Sequence, residues 1–103
     1  MGTNQMKIRI DDLEDVLTSM FSRLRENVGD VLEIKNDFYW DIPAEELYNP
    51  YEEPRKLTLG QLSDDLNEIK RLIKSPEEAI LYDLKRIANI LNSLSNENPR
   101  SFL

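Results

Sequence analysis

The chain contains no cysteine and no histidine, and only three glycines in 103 residues. Each absence removes a class of chemistry. Without cysteine there are no disulfides, thiol nucleophiles, zinc fingers or iron–sulfur ligands. Without histidine there is no Ser-His-Asp triad, no imidazole base near neutral pH and no imidazole metal ligand. Glycines at Gly2, Gly29 and Gly60 alone do not compose a P-loop, a dinucleotide fingerprint or an EF-hand loop. No apolar run approaches the ~20 residues of a membrane span. No basic start leads into an apolar stretch, so no signal peptide is expected and the expected location is cytoplasmic. On these grounds we expect a protein that is not an enzyme and takes no cofactor and no metal.

What is present suits a folded domain. Apolar residues make up 40% of the chain and charged residues 32%, the proportions of a sequence that can bury a core. The length suits one core, so a single domain over 1–103 is expected, with 1–5 and 97–103 as loose ends.

Three amphipathic helices are legible. Leu13, Val16, Leu17, Met20, Phe21 and Leu24 form one stripe at helical period, which predicts a helix over about 12–27. Asp11 with Glu14 resembles a capping box, and Gly29 is placed to end the helix. Leu59, Leu62, Leu66, Ile69 and Ile73 predict a second helix over about 59–74, with Thr58 and Gln61 as its capping box. Ser75, Pro76, Glu77 and Glu78 open a third, over about 76–95, with its stripe at Ile80, Leu84, Ile87, Leu91 and Leu94. The short connection predicts that the second and third helices form an antiparallel hairpin.

Between the first two helices lies an irregular aromatic, proline-bearing segment, 30–57, with room for a short strand pair. Val31 to Lys35 partly alternates, Asn36-Asp37 reads as a turn, and Phe38-Tyr39-Trp40 could pair back. The expected fold is therefore mainly α.

Charge is concentrated in that segment. The chain has 20 acids, 13 bases and a net charge of -7. Asp37 to Glu53 holds six of the acids and no base, with five of the eight aromatics. Tyr and Trp dominate interface hot spots, and surrounding acids steer a basic partner. The candidate partner-binding residues are Tyr39, Trp40, Asp41, Glu45, Glu46, Tyr48, Tyr51, Glu52 and Glu53. The competing reading is that the aromatics plug one end of the bundle. Both roles are compatible if Phe38 and Trp40 point inward while Tyr39, Tyr48 and Tyr51 face out. Asp64, Asp65 and Glu68 could in principle hold Mg²⁺. The plainer reading places them on the solvated face of the second helix. Lys70, Arg71 and Lys74 form the largest basic cluster, and helix-end electrostatics accounts for it. Neither a nucleic acid nor a membrane is therefore an expected partner.

Tyr39-Trp40-Asp41-Ile42-Pro43, then Glu46-Leu47-Tyr48, Pro54 and Leu57-Thr58-Leu59-Gly60-Gln61-Leu62-Ser63-Asp64-Asp65 together resemble a motif pair of a family of small uncharacterised bacterial proteins. The resemblance spans Asp37 to Asp65 and implies no activity. It departs at Leu66, where family members commonly carry an aromatic residue. Gly60 in this run suggests that another segment passes close, with the Tyr-Trp-Asp-Ile-Pro stretch as the candidate. The chain's size, acidity and helicity are also similar to those of bacterial immunity proteins or antitoxins. The functional expectation is a protein-binding module that blocks a basic partner, such as a toxin. The alternative is a structural or regulatory subunit that self-associates through helix faces, for example as a homodimer, with Ile90 and Phe102 as the residues to inspect.

Overall fold

The structure, a computed structural model, describes residues 5–97. Its elements are α1 (Ile10–Val28), β1 (Phe38–Asp41), α2 (Ala44–Leu47), β2 (Thr58–Gln61), α3 (Leu62–Lys74), a 3-10 turn (Pro76–Glu78) and α4 (Tyr82–Glu97). The fold is mainly α with one short antiparallel strand pair, as expected. No helix among the described residues is long and apolar enough to cross a membrane.

The chain divides into two compact units, with the break between Glu33 and Ile34. Residues 31–35, which had room for a short strand, form none. The ends expected to be loose, 1–5 and 97–103, fall almost entirely outside the described residues.

In the first unit, α1 starts two residues earlier than predicted. Its N-cap position is Arg9, with no side-chain cap; Asp11 and Asp12 in the first turn and Arg25 in the last complement the dipole instead. Gly29 ends it in a left-handed conformation (φ +99°), and its N–H donates to the Arg25 carbonyl at 2.9 Å. The stripe residues Leu13, Val16, Leu17, Met20 and Phe21 are exposed.

In the second unit, β1 pairs with β2, not with 31–35. The register sets Phe38 against Gln61, Tyr39 against Gly60, Trp40 against Leu59 and Asp41 against Thr58. Residues 58–61, predicted to open a helix, are therefore a strand, and α3 begins at Leu62. The side chains expected to cap the helix bond across the sheet. The Thr58 hydroxyl donates to the Asp41 carbonyl (3.4 Å), and the Gln61 amide donates to Asp37 Oδ2 (2.7 Å). The cap comes from Asp37. Its Oδ1 accepts the Ser63 N–H (2.7 Å), its Oδ2 accepts the Ser63 hydroxyl (3.0 Å), and its carbonyl accepts the Leu62 N–H (2.7 Å). An acid distant in sequence thus satisfies the free donors at the start of α3 and complements its dipole.

Helices α3 and α4 pack against each other. Asp65 near the start of α3 faces Asn89 on α4 (3.4 Å), while Arg71 near its end bonds Glu78 in the connection (3.1 Å), so the two helices run antiparallel. The connection is longer than predicted. Pro76 opens only a 3-10 turn, the backbone extends at Ala79, and α4 starts at Tyr82. Asp83 restarts the helix: its carboxylate accepts the Ile80 N–H (2.8 Å) and pairs with Arg86. Leu62, Asp65 and Asp83 are the buried residues among those described in this unit.

Both helix-starting acids are held below the usual carboxylate range. For Asp37 the main cause is the Gln61 amide and then the Ser63 N–H; for Asp83 it is the Ile80 N–H, with Arg86 adding to it. A carboxylate with a depressed native pKa stabilises the fold above its unfolded value, ~3.9, and loses that contribution as pH falls through the native value. We expect acid unfolding of the second unit to set in below pH ~4. In Asp37→Asn, stability should be lower at neutral pH and less sensitive to acid, as measured by circular dichroism.

Candidate functional site

The two faces of the small sheet have opposite characters. Tyr39 and Asp41 point inward, onto α3 and α4. The Tyr39 hydroxyl donates to Asp65 Oδ2 (2.7 Å) and accepts from the Asn89 amide (2.8 Å). Asp41 pairs with Lys85 at 2.7 Å, which holds the lysine ammonium above its ordinary pKa. Burial, and then the bond to Asp65, raises the Tyr39 phenol well above its ordinary value. The ring lies over Gly60, where an added Cβ would fall on its ring carbons and hydroxyl. Gly60 therefore does admit a close segment, and that segment is β1.

Phe38 and Trp40 face outward, 57% and 68% exposed, beside Leu59 from β2. This reverses the expected alternation, in which Phe38 and Trp40 point in and Tyr39 points out. Only one of the two interleaved sets can face the helices. Tyr39 takes that face because Gly60 leaves room for its ring, and Asp65 and Asn89 meet its hydroxyl.

The remaining candidate residues separate in the same way. Tyr48 and Tyr51 are 82% and 91% exposed. Glu46 accepts the backbone N–H groups of Arg55 (3.2 Å) and Lys56 (3.1 Å), closing the proline-bearing loop. Glu52 pairs with Arg55 at 3.4 Å. Glu45 and Glu53 are exposed. Four of the six acids in the segment thus have a structural partner, and Lys85 and Arg55 offset two of the charges.

A cleft of about 510 Å³ lies between β1 and α4. Phe38, Tyr39 and Trp40 line it from β1 and Asn89, Asn92, Ser93 and Asn96 from α4, together with Lys35, Asn36 and Leu62. Among the described residues its lining holds amides, aromatics, Leu62 and the side chain of Lys35.

Sequence reasoning missed two features of this region. Asp65, assigned to the solvated face, is 9% exposed. It lies three residues after Leu62 and four before Ile69, within the apolar stripe, and that spacing was the available signal. Asn89, Asn92 and Asn96 lie three and four residues apart, on one face of α4. The acids Asp64, Asp65 and Glu68 diverge: Asp64 is exposed, Asp65 bonds Tyr39, and Glu68 pairs with Arg71 at 3.1 Å. Among the described residues no three acids are grouped to hold a metal ion. No protein-family profile, curated protein or solved structure matches the chain.

Proposed function

We propose that this chain is a protein-binding module whose contact surface is the outer face of the β1–β2 sheet, extended by Tyr48 and Tyr51. One observation carries the reading: Phe38, Trp40 and Leu59 form an exposed apolar face on a sheet whose other face is packed and hydrogen-bonded. Fixed aromatics on a rigid strand give large contact area with little ordering cost. Tyr39 and Asp41 position this face, Trp40 is its central anchor, and Glu45 and Glu53 supply acidity at the loop. In this reading the partner is basic, and the biological role is that of an immunity or antitoxin-type protein occluding a toxin. The test is capture of partners by the intact chain against Trp40→Ala. Loss of an anchor should cost at least ~2 kcal/mol, about thirtyfold in affinity. Glu45→Gln with Glu53→Gln should instead slow association, and less so at high salt. Equal capture by Trp40→Ala would overturn this surface.

A second reading, self-association through helix faces, has its own support. The α1 stripe and the α3–α4 residues Leu66, Ile73, Ile80, Leu84 and Ile87 are exposed. Of the two residues set aside for inspection, Ile90 is half-buried and Phe102 lies outside the described residues. A sedimentation coefficient that rises with protein concentration would support this reading; a monomer at all concentrations would remove it.

A further inference from the structure

The cleft beside β1 has the parts needed to receive a polypeptide backbone. We propose that it takes an extended peptide strand from the partner, added to the free edge of β1 and held from the other side by the amides of α4. This rests on the protein-binding reading and specifies the form that part of the partner must take.

The Leu62 N–H donates to the Asp37 carbonyl, so Asp37 and Leu62 form a hydrogen-bonded pair. Antiparallel alternation then directs the backbone groups of Tyr39 and Asp41 toward β2, and those of Phe38 and Trp40 away from it. Among the described residues the sheet has two strands, so β1 has no second neighbour there. Among the described residues no hydrogen bond satisfies the outward N–H and C=O groups of Phe38 and Trp40. Two donors and two acceptors stand at strand spacing on this edge, which is the template for β-augmentation.

The opposite wall matches it. Asn89 and Asn96 stand seven steps apart on the helix, with Asn92 between them, about 10 Å at 1.5 Å per step. The four residues of β1 span about 10 Å at 3.4 Å per step. Each asparagine side chain carries an acceptor and two donors, the same groups a peptide bond presents in complement. Asn89 uses its NH₂ on Tyr39 and Asp65, and no bond among the described residues engages its carbonyl oxygen. The side chains of Asn92 and Asn96 likewise have no partner among the described residues. An oligosaccharide could use the amides and aromatics, but it lacks the evenly spaced N–H and C=O groups that the β1 edge requires. Among the described residues the α4 wall of the cleft is amide and hydroxyl rather than ionic, so this contact reads backbone. Apolar side chains of the strand would lie beside Phe38 and Trp40.

The probe is a displayed library of random octapeptides, selected on the intact chain, with the enriched peptides resynthesised. Three results are expected. Binding should perturb the backbone amide resonances of Phe38 and Trp40. N-methylation of alternate peptide residues should weaken binding at least tenfold, while N-methylation of the intervening residues should leave it within twofold. Asn92→Leu with Asn96→Leu should lose at least tenfold, while Glu77→Gln, on the exposed 3-10 turn away from the cleft, should bind as the native chain does. The asparagine variants lie on the exposed side of α4, and unchanged circular dichroism would show that they fold. The proposal fails if no peptide is enriched, if enriched peptides ignore the methylation pattern or the asparagine changes, or if oligosaccharides bind the cleft and peptides do not. If a partner is captured through Trp40 and Tyr51 while any of those failures holds, the protein-binding reading stands without this strand. Loss of both would remove the two together.

Discussion

Tyr39→Ala should destabilise the second unit by about 3 kcal/mol, the usual cost of deleting a packed aromatic. A domain of this size has little more than that in reserve. The ring fills the space over Gly60, and its hydroxyl lies between Asp65 and Asn89. Without it, a carboxylate that is 9% exposed loses its closest donor, and buried acceptors left without partners are expensive. Tyr39→Phe separates the two contributions. It keeps the packing and removes the hydroxyl, and should cost about 2 kcal/mol, the range of a hydrogen bond to a charged group. Urea titration of the three proteins, followed by circular dichroism, checks the order. The same residue sets an alkaline limit. Its phenol is raised above the ordinary value, so its contribution is complete below the unfolded pKa of ~10 and is lost as pH rises toward the native value. In the native protein one of the four tyrosines should therefore resist ionisation until the fold opens, as absorbance at alkaline pH would show. Simultaneous ionisation of all four at the ordinary pKa would contradict the network.

Gly60→Ala should cost about 2 kcal/mol, within the range for forcing atoms into an occupied space. The backbone conformation at Gly60 suits any residue, so strain does not enter; the whole effect is the meeting of the new methyl with the Tyr39 ring and hydroxyl. The ring must tilt, and tilting breaks its bonds to Asp65 and Asn89. The double variant Gly60→Ala with Tyr39→Ala is the decisive measurement. If both changes act on one contact, the pair should cost clearly less than the sum of its members. Strict additivity would mean that Gly60 matters for some reason other than the ring beside it. The outer aromatic face should respond oppositely to both changes. Trp40→Ala removes an exposed side chain and should leave stability within about 0.5 kcal/mol, while removing partner binding.

How far the site could be read from the chain depends on the range of each interaction. The aromatic, acidic stretch was visible as composition, and Gly60 was legible as a point of close approach. Which aromatics face out was not, because a strand offers two faces and the choice lies with what packs on it. The partner of Asp37 was also out of reach. Thr58 and Gln61 carry a capping box by local rules, yet tertiary contact overrides it: Thr58 bonds Asp41 on β1, Gln61 bonds Asp37 just before it, and Asp37 caps α3. The same competition moved the start of α3 from about 59 to Leu62 and turned 58–61 into a strand.

By itself the sequence determined the elements whose cause is local. These were three helices from three apolar stripes and the stop at Gly29. They also included the concentration of acid and aromatic residues in one segment. Periodicity, dipole complementarity and φ preferences act within a few residues, so they can be read along the chain. Tertiary structure alone decided the rest: β1 pairs with β2 across the proline loop, Asp65 turns from solvent to the Tyr39 hydroxyl, and four of six acids serve the fold. It also set the asparagines of α4 opposite an unpaired strand edge. Those outcomes depend on hydrogen bonds between residues some 25 positions apart in most cases, such as Tyr39 with Asp65 and Asp37 with Ser63. No local rule encodes which donor such an acceptor will meet.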